Sequence, residues 1–242
     1  MSKVLVLRMA GPMQSWGSSS RFTRRSTEAF PTKSGILGLL AAAQGRRRTD
    51  PIEDLAQLRV AVRVDQRGEL LRDFHTAHRG SESMPLSDRY YRADAAFAGF
   101  VEGPNDLIDG LSQAILRPAF PLYLGRRSCP PTMPLRLAVR DEEMWEVITT
   151  TPWLASTYYQ KKQRFEQYVS LRVLADEGVI PESVGATSAQ TLQDVPVSFD
   201  SEHRMYTFRT VEETRIALEN PEYVQVSPQE GARLGHDPMG VL

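Results

Sequence analysis

The stretch Lys3-Val-Leu-Val-Leu-Arg-Met9 predicts a buried strand. A helix, connected to it by a loop, is predicted from the later stretch Phe30-Pro-Thr-Lys-Ser-Gly-Ile-Leu-Gly-Leu-Leu-Ala-Ala-Ala-Gln-Gly45. The first stretch is almost entirely hydrophobic, which is typical of a strand covered on both faces. Gly11-Pro12 and Gly17 follow it, and such residues interrupt regular structure. We therefore expect the strand to end before Gly11.

The second stretch carries the signals of a helix with defined ends. Thr32 or Ser34 can cap its first turn, and Gly45 can end it. The apolar side chains recur with the helical period, at Ile36, Leu37, Leu40 and Ala43.

Further alternating segments extend the pattern to a whole domain. Leu58–Val64 predicts a strand with one apolar and one basic face, Asp65–Gly68 a turn, and 70–75 a strand that pairs back. Tyr90–Val101 predicts the next strand, and Pro104 precedes a second amphipathic helix. Phe120–Leu124 is a further strand candidate.

This order of elements is close to βαββαβ, which indicates an α+β fold with a ferredoxin-like or RRM-like unit. Such a unit has an antiparallel sheet with two helices on one face. The segment 153–174 is amphipathic and predicted to be helical in part, and two late strands, 195–199 and 204–211, predict a C-terminal β-hairpin. We expect one elaborated domain over residues 1–222 and an irregular tail over 223–242.

The positive charge is concentrated at one end of the chain. Residues 1–50 contain nine Lys or Arg and two acids, a net charge of +7, so the other 192 residues sum to −8 because the whole chain is −1. A local surplus of this kind is the electrostatic signature of a surface that binds phosphates. Nucleic acid is therefore the first ligand to consider.

The composition excludes several other classes. With 41% hydrophobic and 24% charged residues, a folded globular chain is expected, and the longest apolar run, 36–43, is too short to cross a membrane. No signal-peptide pattern is present, so a cytoplasmic location is expected. The single cysteine, Cys129, excludes an internal disulfide and a cysteine-built zinc site. His75 and His78 lack further ligands, so neither a metal nor a cofactor is expected.

The loop before the first helix holds the strongest local candidates for RNA contact. Gln14 offers hydrogen bonds to bases and Trp16 offers stacking, although Trp16 could equally pack beneath the loop. The basic pair Arg24 and Arg25 follows.

The first helix adds Lys33 and Ser34, whose position at a helix N-terminus favours anions. A second cluster is the pair Arg126 and Arg127 on a Gly-bounded loop, which could clamp a bent RNA backbone or form an exposed turn. His75 is expected to contact a phosphate.

Two alternatives remain open at this point. His75 together with Tyr90 or Tyr91 and Lys33 could cleave RNA without a metal, although a non-catalytic role is favoured. Aromatic and basic residues also interleave over 153–172, where packing or contact with a partner is favoured over a nucleic-acid surface.

Four motifs in this order resemble one protein family. They are Leu7-Arg-Met-Ala-Gly-Pro-Met-Gln-Ser-Trp-Gly17, Phe30-Pro-Thr-Lys-Ser-Gly-Ile-Leu-Gly-Leu-Leu40, Leu71-Arg-Asp-Phe-His-Thr76 and Tyr123-Leu-Gly-Arg-Arg-Ser-Cys-Pro130. Through these four motifs, the chain from residue 3 to about 140 resembles the CasD subunits of type I-E CRISPR Cascade. These subunits are the subtype E form of the fifth CRISPR-associated protein family.

The resemblance implies an RRM-like palm with an inserted thumb hairpin, placed at about 76–89. It implies a subunit that caps the 5′ end of a CRISPR guide RNA and holds its repeat-derived handle. It also implies contacts with the terminal CasC backbone subunit and the large CasA subunit, and with target DNA only indirectly through the complex. Seven candidates for contact with the handle lie in the matching motifs: Gln14, Trp16, Lys33, Ser34, His75, Arg126 and Arg127. Arg24 and Arg25 lie between motifs, and their candidacy depends on charge alone.

Overall fold

A computed structural model of the chain describes residues 2–17, 24–76, 78–80, 82–83, 86–200 and 202–225, without the side chains of 24, 78, 79, 82 and 83. The strands are β1 (Ser2–Gln14), β2 (Arg24–Arg25), β3 (Arg59–Gln66), β4 (Glu69–His75), β5 (His78–Arg79), β6 (Glu82–Ser83), β7 (Ser87–Pro104), β8 (Arg136–Arg140), β9 (Tyr168–Asp176), β10 (Ser188–Ser198) and β11 (Met205–Glu219). The helices are α1 (Lys33–Ala43), α2 (Glu53–Ala56), α3 (Asn105–Leu116), α4 (Met144–Thr150) and α5 (Thr157–Lys162).

The body is a nine-stranded sheet in the order β10-β11-β9-β3-β7-β1-β8, with β2 and β4 paired to β7. The pairs along that order are antiparallel. The larger core lies between one sheet face and helices α1 to α3, and a second core lies under α4 on the other face. The domain is therefore a mixed α/β sheet with helices on both sides.

Helix α1 begins and ends where the sequence predicted. The Oγ1 of Thr32 accepts a hydrogen bond from the backbone N–H of Gly35, and Gly45 adopts a φ of +80° after the last turn. A glycine in this conformation after the last turn is a common helix terminator. The predicted cap and the predicted stop are both confirmed, with Thr32 as the capping residue.

Strand β1 is longer than predicted, because Gly11-Pro12 does not end it. Gly11 pairs with Ala95 and Met13 with Ala93, so the pairing with β7 continues on both sides of Pro12. Gly11 allows the strand to pass close to its neighbour, since a Cβ there would lie 2.9 Å from the carbonyl oxygen of Pro130. The prediction that the strand ends before Gly11 is therefore wrong.

The predicted turn at 65–68 is also wrong. Strands β3 and β4 run in the same direction and pair one after the other with β7, with Val64 opposite Phe97 and Glu69 opposite Ala93. The residues between them form an irregularity in one long strand, and Gly68 has a φ of +60° there. The two strands thus make one extended hairpin with β7 instead of a hairpin with each other.

The basic face predicted for β3 does not exist as a surface. Arg63 is fully buried, and its guanidinium donates to both carboxylate oxygens of Asp65 at 2.7 and 2.8 Å. It also donates to the carbonyls of Ile148, Thr151 and Pro152. Both faces of β3 are covered. Arg63, which the alternating pattern assigned to a basic face, therefore belongs to a buried ion pair and not to a solvated face.

The last strand of the predicted unit lies at 136–140, not at 120–124. The N–H groups of Ala119 and Phe120 donate to the carbonyls of Ala43 and Ala42, so this segment is bonded to the end of α1. Strand β8 occupies the edge of the sheet beside β1 instead. The prediction that Phe120–Leu124 is a strand is therefore wrong.

The C-terminal part adds three strands beyond β3. The late hairpin is confirmed and is longer than predicted, as β10 and β11. The segment 153–174 is helical only at α5, and its second half is β9, which connects β11 to β3. Residues 226–242, most of the predicted tail, lie outside the described part of the chain.

The predicted thumb at 76–89 lies at the end of the long hairpin. Within the described residues, β5 pairs with β6 and β7 begins at Ser87, while 77, 81, 84 and 85 lie outside the description. The side chains of Leu70, Phe74 and Leu86 beside it are more than half exposed. Among the described residues, no helix has the length and apolar character needed to span a membrane.

Substitution of Gly68 tests the continuous β3–β4 strand. A Cβ at Gly68 would lie 2.3 Å from the carbonyl oxygen of Ala93, and its φ is positive. We expect Gly68→Ala to lower the free energy of unfolding by more than about 3 kcal/mol in denaturant titrations. Gly178→Ala is the matched control, because Gly178 has a φ of +76° with no atom in the way, and should cost about 1–2 kcal/mol. Equal losses in the two variants would contradict the close packing.

Candidate nucleic-acid interface

A cleft of about 1050 Å³ lies between α1, the loop after β1, the segment 120–130 and the β10–β11 hairpin. Helix α1 forms its floor through Ser34, Gly35, Gly38 and Leu39, and the rims come from three other parts of the chain. The described residues around it are Ser15, Trp16, Gly17, Arg25, Ser26, Thr32, Ser34, Gly35, Gly38, Leu39, Ala41, Ala42, Arg46, Arg47, Arg48, Phe120, Pro121, Leu122, Tyr123, Gly125, Arg126, Arg127, Pro130, Phe199, Arg204 and Tyr206.

The charge of the cleft has one sign. Seven arginines and no acidic residue are found among its described lining residues. Five of the seven are exposed and make no side-chain hydrogen bond or ion pair to the rest of the described chain: Arg25, Arg47, Arg48, Arg127 and Arg204. Unpaired guanidinium groups around one cleft attract a ligand with several negative charges.

Gln14 and Trp16 build the cleft wall and do not offer free groups to a ligand. Both are fully buried, and the Nε1–H of Trp16 donates to Oε1 of Gln14 at 3.0 Å. The Nε2 of Gln14 donates to the carbonyls of Met9 and Ala95. Their polar side-chain atoms are thus engaged within the protein. These positions do not support the predicted base contacts by the two side chains.

Two glycines bring the wall elements together around Trp16. A Cβ at Gly35 would lie 2.7 Å from the Trp16 ring, so α1 packs directly on the indole. A Cβ at Gly125 would lie 1.7 Å from the carbonyl oxygen of Ser15, and the N–H of Ser15 donates to the carbonyl of Leu124. The three motifs that contain Trp16, Gly35 and Gly125 therefore meet at one point.

Lys33 is engaged inside the protein and is not available to a phosphate. Its side chain is buried, with Nζ 3.0 Å from Oδ2 of Asp176, and its backbone N–H donates to Oδ2 of Asp194 at 2.7 Å. Arg209 bridges Asp176 and Asp194, and Asp194 is almost fully buried. An internal carboxylate thus occupies the anion position at the start of α1. This position does not support the predicted phosphate contact by Lys33.

The arginine pair on the 123–127 loop divides into one structural and one free side chain. Arg126 stacks over the ring of Tyr91 at 4.7 Å and donates from Nη2 to the carbonyl of Arg25 at 2.9 Å. Arg127 is exposed, has no partner among the described residues and lines the cleft. Arg126 therefore connects the loop that carries Arg127 to the segment that carries Arg25.

The remaining predicted residues have different positions. Ser34 lines the cleft with its hydroxyl 3.3 Å from that of Thr32. Arg24 pairs through its backbone with Asp88 of β7, and its side chain is outside the description. His75 lies at the end of β4 and not in the cleft lining, with Nε2 2.5 Å from Oδ2 of Asp73. The structure therefore brings together Arg25, Ser34, Arg126 and Arg127, but not His75.

Sequence reasoning missed four cleft arginines, Arg46, Arg47, Arg48 and Arg204. The run of three after Gly45 was a visible signal, because it follows directly on the helix that forms the floor. Arg46 is bound by both carboxylate oxygens of Asp54, and this guanidinium lowers the pKa of Asp54. Arg47 and Arg48 remain unpaired. No sequence signal pointed to Arg204, which reaches the cleft only because β10 and β11 form a hairpin.

Cys129 lies inside the wall of the cleft. It is fully buried, and this burial raises the pKa of its thiol despite the nearby Arg126. Its backbone N–H donates to the carbonyl of Arg126, so the residue supports the arginine loop. Across the described part of the chain, no cluster of His, Cys, Asp and Glu is arranged to bind a metal ion.

Removal of Asp194 tests the buried charge cluster under the cleft floor. We expect Asp194→Ala to reduce the free energy of unfolding by about 3–5 kcal/mol, because Arg209 and the start of α1 lose a buried charged partner. Asp54→Ala is the control, since it breaks the half-exposed pair with Arg46 and should cost less than about 1 kcal/mol. Chemical denaturation of both variants gives the comparison, and a loss of under about 1 kcal/mol for Asp194→Ala would contradict the role.

Comparison with known proteins places this architecture in a family. Residues 4–212 match the family model described as CRISPR-associated protein (Cas_Cas5). The CRISPR system Cascade subunit CasD of Escherichia coli (strain K12) is 39% identical over 159 residues, which cover 57% of this chain and 71% of that protein.

Two solved structures are similar over nearly the whole chain. A chain of a CRISPR RNA-guided surveillance complex has a TM-score of 0.72 and 29% identity, covering 95% of this chain and 97% of its own. A structure described as the crystal structure of a Cas protein has a TM-score of 0.66 and 33% identity, covering 93% and 100%. The chain belongs to the Cas5 family of CRISPR-associated proteins, and within it to the CasD-type subunits of Cascade.

Proposed function

We propose that this protein is a non-catalytic, RNA-binding subunit of a Cascade surveillance complex in antiviral defence, and that its cleft holds the 5′ handle of the CRISPR guide RNA. The observation that carries the proposal is the cleft itself, with seven arginines and no acidic residue among its described lining. A ligand with closely spaced phosphates satisfies this arrangement better than a singly charged metabolite, because the five unpaired guanidinium groups come from four separate segments.

The cleft also offers surfaces for bases. Phe120, Tyr123, Phe199 and Tyr206 lie among the arginines, and aromatic rings stack on unpaired bases. Single-stranded RNA presents both its phosphates and its base faces, whereas a duplex hides the base faces. The ligand that fits is therefore a bent single strand, as an RNA handle would be.

The fold supports the same proposal. We propose that the order β8-β1-β7-β3, with α1 after β1 and α3 after β7, is a βαββαβ unit of the ferredoxin-like or RRM-like type. We propose that this unit is the palm, that the end of the β4–β7 hairpin is the thumb, and that β9, β10 and β11 extend the sheet. The extension places Arg204 and Tyr206 opposite α1, which closes the cleft.

The partner proposals follow from the family. We propose contacts with the terminal CasC backbone subunit and the large CasA subunit, contact with target DNA only through the complex, and a cytoplasmic location without a membrane partner. The exposed apolar side chains of Leu70 and Phe74, which lie on the same face of β4, and that of Leu86 support a protein contact near the thumb.

The alternative is a metal-independent endoribonuclease acting on repeat RNA. Such cleavage needs a general acid and base beside the scissile phosphate. The described cleft lining contains arginines, hydroxyls and aromatic rings but no His, Lys, Asp or Glu. His75 is paired with Asp73 outside it, and Lys33 is engaged with Asp176. These positions support the non-catalytic proposal.

Removing two free cleft arginines tests the RNA site. We expect Arg25→Ala plus Arg127→Ala to weaken binding of a handle RNA at least about tenfold near 50 mM salt, and to reduce the slope of log K against log salt by about 1.4, as expected for two lost phosphate contacts. Fluorescence anisotropy titrations over a salt series measure both. Arg72→Ala plus Arg117→Ala, which removes two exposed arginines outside the cleft, is the matched control and should retain handle affinity. Equal affinities for the two double variants would overturn the proposed site.

A nuclease assay separates the two functions. Purified protein incubated with precursor repeat RNA in EDTA is expected to leave the RNA intact, because no acid–base pair lies in the described cleft lining. Site-specific cleavage that disappears in His75→Ala would establish the endoribonuclease instead.

A further inference from the structure

A second, smaller concavity lies away from the cleft. It has a volume of about 90 Å³ and lies where α5 meets the ends of β9 and β11 and the irregularity between β3 and β4. We call it the α5 groove. Its described lining residues are Val64, Asp65, Arg67, Trp153, Tyr159, Gln163, Val169, Ser170, Leu171, Arg172 and Arg215, none of which lines the cleft.

The groove carries positive charge that the protein does not neutralise. The carboxylate of Asp65 is bound by Arg63 through both oxygens, and Arg172 is bound by Glu213 at 2.5 and 2.6 Å. Arg67 and Arg215 are exposed, and neither side chain has a hydrogen-bonded or ion-paired partner among the described residues. Two guanidinium groups without a hydrogen-bonded partner in the described chain thus line a concavity of about 90 Å³, while Glu213, which is bound to Arg172, also acts on Arg215 at longer range.

The charge of Arg67 acts on a neighbouring arginine as well. The pKa of Arg92 is lowered, first by burial and then by the nearby charge of Arg67. A bound anion beside Arg67 would relieve this repulsion. The electrostatics and the shape of the groove therefore favour the same kind of ligand.

Two exposed aromatic residues are next in sequence to residues that line the groove, Tyr159 and Val169. Tyr158 on α5 is 77% exposed and Tyr168 at the start of β9 is 58% exposed, values high for large aromatic side chains. Tyr158, Lys161 and Lys162 are spaced i, i+3 and i+4, so they share one side of α5. Tyr168 shares a strand face with Ser170 and Arg172, because alternate residues of a strand point to the same side.

Trp153 and Tyr159, in contrast to Tyr158 and Tyr168, are packed against the protein. Trp153 is buried and stacks edge-on against Tyr159 with ring centroids 6.0 Å apart, so these two aromatics hold α5 in place. Tyr158 and Tyr168 make no such contact among the described rings. Among the aromatic residues that interleave with basic residues in this part of the sequence, Trp153 and Tyr159 are thus packed together, whereas Tyr158 and Tyr168 are exposed.

We propose that the α5 groove and the two exposed tyrosines form a second binding surface for single-stranded nucleic acid, separate from the cleft. A backbone phosphate binds between Arg67 and Arg215, with Lys161 and Lys162 beside it, and the neighbouring bases stack on Tyr158 and Tyr168. Arg67 and Arg215 line the groove, and the exposed basic residues Lys161, Lys162 and Arg164 lie within two positions of the lining residue Gln163 in the sequence.

A nucleic acid fits this surface better than a protein partner. Protein interfaces exclude lysine from their buried centre, whereas the lysines here adjoin the groove. The groove lining includes three arginines, and its apolar residues Val64, Trp153, Val169 and Leu171 are buried, so it does not offer an open apolar pocket to a side chain. The inference concerns a site outside the cleft and does not depend on the handle-binding proposal.

The test removes the cleft contribution first. The full chain carrying Arg25→Ala plus Arg127→Ala is titrated with a fluorescent oligo(dT) and an oligo(U) of about 12 nucleotides, with anisotropy as the readout. We expect binding in this background, and we expect the added change Arg67→Ala plus Arg215→Ala to weaken it roughly tenfold or more near 50 mM salt. Tyr158→Ala plus Tyr168→Ala should weaken it without changing the salt slope, because stacking releases no counterions.

Two controls make the outcome decisive. Arg215→Ala is compared with Arg117→Ala, which removes one exposed arginine at the end of α3 and should leave binding unchanged. The thermal unfolding midpoint of each variant verifies that it is folded. Equal oligonucleotide affinity with and without the groove arginines would overturn the proposal, as would equal losses in Arg215→Ala and Arg117→Ala. If the groove variants bind the oligonucleotides normally and instead lose a protein subunit of the complex, the surface is a protein-docking site and the proposal is wrong.

Discussion

The architecture of the cleft depends on the packing of one buried indole, that of Trp16. Its ring lies directly against Gly35 at the start of α1, and its Nε1–H is bound by Gln14, which also ties β1 to β7. The adjacent residue, Ser15, lies so close to Gly125 that only a glycine fits there. Floor, inner wall and arginine loop are therefore held together at one point. A side chain larger than hydrogen at Gly35 or Gly125 would separate them.

A second constraint connects the palm to the C-terminal strands. Asp176 of β9, Asp194 of β10 and Arg209 of β11 form a buried charge cluster with Lys33 at the first turn of α1. Two positive and two negative side chains balance, so the cluster has no net charge to offer a ligand. Its effect is geometric: it fixes the β10–β11 hairpin beside α1, and the same hairpin carries Arg204 to the cleft. Buried charges thus position the exposed ones.

The local elements could be predicted because short-range signals specify them. The start and stop of α1 depend on Thr32 and Gly45, and both act on neighbouring backbone groups. The errors have a common physical cause, since they concern residues whose state depends on distant partners. Gly11-Pro12 remains in a strand because β7 pairs on both sides of it, and Arg63 is buried because Asp65 and three carbonyls from the 148–152 segment bind it.

The sequence by itself determined that the first fifty residues carry a charge surplus, where α1 begins and ends, and which family the four motifs resemble. The tertiary structure decided which charges are free. Among the predicted candidates, Lys33, Gln14 and Trp16 are consumed by internal bonds, whereas Arg25 and Arg127 remain open to the cleft. Arg47, Arg48 and Arg204 join them from other segments. The reason is that a residue type fixes a charge, but only the packing of distant elements determines whether the protein itself neutralises it.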